Sequence, residues 1–189
     1  GVKVLDVWYL GTRHTTSNRP INSLEDMKGL RLRTPNVPFL IAYAENTGAS
    51  PAPVAFAEVY LALQTNQVDA QENPLPTIEA MKFYEVQDHI ALTNHFIASA
   101  AIQIGTSTWD SLSDQEKAWV EAAANAGGEV SDAMTFQDEA NLVAVFEERG
   151  LTVTTPDTGP FRDAMKPYWD ELEAEFGEGA IAKVRGDAM

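Results

Sequence analysis

The chain has 189 residues and a formal net charge of −15, from 28 acidic and 13 basic side chains. That balance argues against nucleic acid and against anionic membrane surfaces as partners, and no apolar run is long enough to span a membrane. The sequence is 44% hydrophobic, enough for a real core, and it has no cysteine, so it carries no disulfide or thiol nucleophile and tolerates an oxidising compartment.

Residues 1–10 read as a strand, so the sequence opens inside an element and looks like a fragment whose beginning is missing. No signal peptide is visible. Residues 11–20 are polar and read as a loop that holds Arg13 just beyond a strand's carboxyl end. Ser23-Leu24-Glu25-Asp26 has the form of a capping box and opens a short helix, closed by Lys28 and Gly29.

Leu30 and Leu32 then alternate with Arg31 and Arg33, the period of a strand with one apolar face. Pro35 stops the ladder, and Asn36 is a candidate N-cap for the apolar helix that follows and ends near Thr47-Gly48. A guanidinium between a strand end and a helix N-terminus suits an anion, and open α/β sheets bind ligands at such places. Two readings of Arg33 stay open: a forked clamp on a carboxylate, or a surface strand arginine.

Pro51 to Ala55 is extended. Phe56, Val59, Tyr60 and Leu63 have helical spacing, and by composition Phe56 reads as core. Residues 66–70 read as a strand with a polar end at Gln71-Glu72-Asn73-Pro74, followed by a helix from Leu75 to about Val86. Residues 89–106 are β-like. A second capping box at Ser113 starts a helix that runs toward Arg149, with a weak point at Gly127-Gly128 and a stop at Gly150. Thr152 to Thr154 is a strand, and residues 161–176 form a last amphipathic helix with Met165, Trp169 and Leu172 on one stripe.

Strands alternating with helices imply an α/β fold with a mainly parallel, helix-covered sheet. A helix of about 36 residues is long for one small domain and natural as a strut across two lobes. Phosphate loops, dinucleotide fingerprints, nucleophile elbows and zinc-protease motifs are absent. His14, His89 and His95 lack metal-ligand spacing, and His95 reads as a hydrogen-bonded structural residue. No cofactor and no metal are expected.

Five stretches resemble one family in order and spacing, over essentially the whole chain. They are residues 13–21 (RHTTSNRPI), 26–33 (DMKGLRLR), 56–65 (FAEVYLALQT), 68–74 (VDAQENP) and 82–86 (KFYEV). They are similar to the solute-binding proteins of tripartite ATP-independent periplasmic (TRAP) transporters, especially members that bind sialic acid. The resemblance implies two α/β lobes around a cleft, hinge strands and a long spanning helix, with most of the first lobe outside this chain. It places the second lobe at 1–95, with the carboxylate-binding arginines. It places a hinge strand, part of the first lobe and the spanning helix at 96–150, and a return to the second lobe with the C-terminal helices at 151–189.

The resemblance also implies a periplasmic monomer that captures an organic acid, sialic acid or another sugar acid, and hands it to the TRAP membrane permease subunits. Arg33 resembles the arginine that pairs the ligand carboxylate, Arg13 a second arginine on it, and Asn73 the amide that completes its bonding. Asn36 and Phe56 resemble contacts to the ligand body. Family members more often have Gly at the position of Ala70, and the missing N-terminal part supplies the contacts that choose among acids. Two other classes fit the residues: a carboxylate-sensing module for a receptor, and a sugar-acid enzyme with Glu58 or Glu72 as base.

Overall fold

The computed structural model describes residues 1–185; residues 186–189, the end of the expected C-terminal segment, lie outside the described part. Two long strands set the frame. Strand β1 (Val2–Ser17) pairs antiparallel with β5 (His89–Gly105). Around them stand β2 (Arg31–Thr34), β3 (Ser50–Pro53), β4 (Ala70–Pro74) and β6 (Thr152–Thr154), giving the sheet order β3-β2-β4-β1-β5-β6.

The sheet is mixed, not mainly parallel as the element order predicts. Strand β2 is parallel to β3 and β4, and β5 is parallel to β6, but β1 runs antiparallel to both of its neighbours. Helical crossovers return β3 and β4 in the direction of β2: α1 (Pro38–Asn46) joins β2 to β3, and α2 (Val59–Gln64) joins β3 to β4. Strand β1 precedes these units, so no crossover fixes its direction.

Helices cover both faces. Ile90 and Ala91 are consecutive on β5 and therefore point to opposite sides. Ile90 packs with Val59 and Leu63 of α2, Ile78 of α3 (Leu75–Ala80), and Leu142 and Phe146 of a long helix. Ala91 packs with Met27, Leu32, Tyr43 of α1, and Phe161. A short helix, α4 (Thr106–Ser111), follows β5.

The long helix is α5 (Asp114–Glu148), 35 residues, opened by both bonds of the Ser113–Glu116 capping box and closed at Gly150 with φ +93°. The pair Gly127-Gly128 is not a break. A Cβ on Gly128 would stand 2.9 Å from Trp8 Cδ1, and one on Gly127 2.9 Å from Trp8 Cζ2. The two glycines let the helix lie on the indole, whose Nε1 donates to the Ala124 carbonyl at 3.2 Å. Among the described residues no helix is long and apolar enough to cross a membrane.

Four boundaries differ from the sequence reading. The expected loop at 11–20 is largely strand, because β1 continues to Ser17 between β4 and β5, and His14, Thr15, Thr16 and Ser17 are buried there. The strand expected at 66–70 starts only at Ala70; Asn66 has φ +55°, and Asp69 is held by Arg31 in the turn. The helix expected at 75–86 stops after Ala80, and Lys82 adopts φ +56° before a 3₁₀ turn at Phe83–Glu85. The last helix is two, α6 (Gly159–Ala164) and α7 (Lys166–Phe176), because Pro167 removes a helical donor and restricts the residue before it. A further helix, α8 (Ala180–Arg185), follows.

Candidate ligand-binding site

Three of the expected residues meet at one end of the sheet. Strands β2, β4 and β1 are neighbours, with Arg33 opposite Gln71 and Arg13 opposite Pro74. Arg33 and Asn73 reach the site at the carboxyl ends of parallel strands. Arg13 reaches it from the middle of β1, because that strand runs the other way.

Arg13 is therefore not on the polar loop that the sequence suggests but within the sheet, held by several hydrogen bonds. Its Nε donates to Glu72 Oε2, and its Nη2 donates to Glu72 Oε1 at 2.9 Å, the Glu72 carbonyl at 2.8 Å and Asn73 Oδ1 at 3.0 Å. Glu72 is fully buried, and His95 Nε2 lies 3.2 Å from its Oε2. Burial pushes the Glu72 carboxyl up, but the hydrogen bonds from His95 and Arg13 outweigh it, so the group sits below the usual range and is ionised.

Burial pushes the His95 imidazole down, against the pull of Glu72, and it is neutral at pH 7. The neutral ring then donates from Nε2 to Glu72 and accepts at Nδ1 from Thr93 Oγ1, 2.8 Å away. Its face stacks on Tyr43, with centroids 4.0 Å apart. His95 is thus the hydrogen-bonded structural residue expected. Asn73 Nδ2 donates to Gln71 Oε1 at 2.6 Å, and Gln71 Nε2 donates to Thr16 Oγ1 at 3.0 Å. This chain of buried polar groups was not foreseen. Its sequence signal is the run Gln71-Glu72-Asn73, polar side chains where a central strand calls for apolar ones.

Arg33 differs from every paired arginine around it. It is 2% exposed, yet its hydrogen bonds run only to the Val54 carbonyl, from Nε at 2.9 Å and Nη2 at 2.7 Å. Arg31, two residues earlier on the same strand, has Asp69. Among the described residues Arg33 has no carboxylate within ion-pair distance. Burial lowers its pKa; the field of Glu72 raises it and that of Arg13 lowers it further. The Phe56 ring centroid lies 5.9 Å from its Cζ, a cation–π arrangement. Phe56 is 45% exposed and forms a T-shaped pair with Phe83, so it is not the core residue that composition suggests.

Asn36 is not the N-cap. Val37, held extended by Pro38, takes that place, with φ −126° and ψ 125°. Asn36 is displaced one residue outward and is exposed in the turn. With His95 neutral, the cluster of Arg13, Arg33 and Glu72 carries one net positive charge.

Residues 1–175 match the model of the DctP family, bacterial extracellular solute-binding protein family 7. The chain belongs to this family. As a DctP-family chain it is 50% identical over 182 residues to the sialic acid-binding periplasmic protein SiaP of Vibrio cholerae, a match that covers 96% of this chain and 57% of SiaP. It is also similar to a TRAP periplasmic solute-binding protein from Roseobacter denitrificans with bound 3-deoxy-D-manno-oct-2-ulosonic acid. There the TM-score is 0.93 and the identity 35%, covering 98% of this chain and 63% of that one. A second structure from Roseobacter denitrificans, with bound β-D-glucuronate, gives a TM-score of 0.88 at 32% identity, covering 93% and 59%. The DctP-family chain thus spans a little over half the length of these relatives, and its mixed α/β fold matches theirs.

Proposed function

We propose that this chain is part of the extracytoplasmic solute-binding subunit of a TRAP transporter, which captures a sugar acid by its carboxylate and delivers it to the membrane permease. The observation that carries this reading is Arg33, a buried guanidinium bonded only to a carbonyl. A ligand carboxylate would supply the missing counter-charge in a two-bond fork. Arg13 would offer Nη1, the nitrogen its Glu72 contacts leave over, and Asn73 the second hydrogen of Nδ2. Phe56 and Asn36, exposed beside the clamp, would face the ligand body.

One net positive charge in the cluster matches a single carboxylate. One relative is named for sialic acid and two of the similar structures hold sugar acids, which supports the sugar acids as the class and the periplasm as the location. The two-lobed layout, with the second lobe at 1–95 and 151–189 and the strut between, belongs to this same proposal. The enzyme reading has less support, because Glu72 has both oxygens engaged and is buried, while Glu58 is exposed on the surface.

The test is calorimetry of the full-length protein against N-acetylneuraminate, 3-deoxy-D-manno-oct-2-ulosonate and D-glucuronate, with mass spectrometry of any acid released on denaturation. At least one acid should bind with micromolar affinity or better, roughly 8 kcal/mol or more. Failure of all three, with no acid released, overturns the reading. Uptake in vesicles holding the cognate permease tests delivery.

A further inference from the structure

The ladder between β1 and β5 shifts register between Tyr9 and Gly11: Tyr9 is opposite Ser99 and Gly11 opposite Ala98, so Leu10 is extra. Such a bulge frees backbone donors and bends the strand. Here both freed donors go to carboxylates of α5. Tyr9 N donates to Asp132 Oδ1 at 2.8 Å, and Thr12 N donates to Glu139 Oε1 at 2.6 Å. The other oxygen of Glu139 accepts from the Tyr9 hydroxyl at 2.7 Å, and that hydroxyl also lies 2.9 Å from Thr12 Oγ1. The Tyr9 ring stacks on Phe136, one turn along the helix, at 4.6 Å.

The approach is close enough to dictate the residue between. Gly11 has φ +112°, and a Cβ there would stand 2.8 Å from Pro74 Cβ and 3.2 Å from Glu139 Oε1. Gly11 is thus wedged between the helix carboxylate and the residue after Asn73. Two residues beyond it is Arg13. The bulge also marks where the strand pair leaves the body: no residue of 1–13 or 96–105 apart from Ala98 is buried apolar core, and Val2, Val4, Val7 and Leu10 are exposed.

We propose that Glu139 is a positioning residue for Arg13: it bridges the two ends of the β1 bulge to α5 and so fixes where Arg13 enters the ligand site. The part concerning ligand rests on the function proposed above; the part concerning Arg13 does not. Any rotation of α5 against the sheet would pass through this carboxylate to the arginine.

Three variants test it: Glu139→Ala removes both bonds, Glu139→Gln keeps an acceptor for Thr12 N and a polar partner for Tyr9, and Tyr9→Phe keeps the ring stack but loses the hydroxyl. The first readout needs no ligand: hydrogen exchange of the Thr12 amide and of the Arg13 Nε–H by NMR. Both should quicken by about tenfold or more in Glu139→Ala, less in Tyr9→Phe, and stay near wild type in Glu139→Gln. An unchanged Arg13 Nε–H in Glu139→Ala overturns the proposal whatever the ligand does. Faster exchange at Thr12 alone would make Glu139 a local cap and also overturn it. The second readout is stopped-flow dissociation of N-acetylneuraminate, expected to quicken by several fold in Glu139→Ala with rescue in Glu139→Gln. If wild type binds no acid, the function reading fails while the exchange result still decides the positioning role.

Discussion

Arg33 is the residue on which the site turns, because a buried cation without an anion is costly unless something compensates it. Replacing it by Lys keeps the charge but loses the planar fork. The expected loss is that of a charge-assisted pair, about 1.5–3 kcal/mol, or at least about tenfold in affinity. Calorimetry of Arg33→Lys against the best acid checks this; binding within about twofold of wild type, far less than such a pair should lose, removes Arg33 from the clamp. Glu72→Gln makes a separate prediction about stability. It strips Arg13 of its buried carboxylate partner, and breaking such a pair costs roughly 3–5 kcal/mol. Urea denaturation should show most of that loss, and a change below about 1 kcal/mol, the worth of an exposed pair, would mean that Arg13 is supported elsewhere. That Arg13, Arg33 and Asn73 come together was legible in the sequence because each stands in a matched motif, although only Arg33 and Asn73 lie near strand ends and Arg13 stands in the middle of β1. Their support was not legible. Glu72 and His95 are 23 positions apart, and Arg13 and Glu72 59 apart, so only the sheet order brings them together.

At the level of elements, the sequence foretold most helices and strands where pattern and punctuation agree. The Ser113 capping box and Gly150 bound α5 to within a residue, and Leu30 and Leu32 mark β2. It failed where tertiary burial reverses the meaning of polarity. His14 to Ser17 look like a loop because they are polar, yet they are sheet core, with partners in Gln71, Gln87, Thr93, the Asn94 N–H and the Arg19 carbonyl. It failed again at Gly127-Gly128, where a local propensity cost hides a long-range contact with Trp8. That contact is testable. Gly→Ala inside a helix normally stabilises by about 1 kcal/mol. At Gly128 the added Cβ would meet Asp6 Oδ2 at 2.6 Å and Trp8 at 2.9 Å, and overpacking costs about 1–3 kcal/mol. Gly128→Ala should therefore lower stability and alter Trp8 fluorescence. A variant more stable than wild type, with an unchanged emission spectrum, would show that the helix does not rest on the indole.

For the whole molecule, a net charge of −15 and a cationic site are compatible because they occupy different dielectric surroundings. Arg33 is 2% exposed, whereas the paired acids Glu25, Glu85 and Asp170 lie at the surface. Surface charges beyond a Debye length, about 10 Å at 0.1 M salt and about 3 Å at 1 M, are screened. Added salt should therefore speed capture of an anion modestly and leave its dissociation rate unchanged, and stopped-flow data that put the salt effect in dissociation would contradict this. Acid acts on the molecule differently, through buried bases. His14 is 5% exposed, and burial first, then the neighbouring His95, lowers its pKa from 6.5 to about 4. Between those values the unfolded chain binds a proton that the folded chain refuses, so stability rises with pH. The contribution of His14 is complete above about pH 6.5, is lost as pH falls toward 4 and is constant below. A shift of this size is worth roughly 3 kcal/mol at most. His95, also lowered, adds the same sign. Asp69 acts in a separate window: its hydrogen bonds from Arg31 lower its pKa from 3.8 to about 2, so its contribution is lost only as pH falls through that range. Urea denaturation at intervals from pH 7.5 to pH 4.5, ordinary conditions bracketing the histidine range, should show falling stability in wild type. His14→Gln, uncharged throughout, should flatten the slope over this range, which ends above the Asp69 window. An identical slope in the variant would move the acid sensitivity from His14 to other groups.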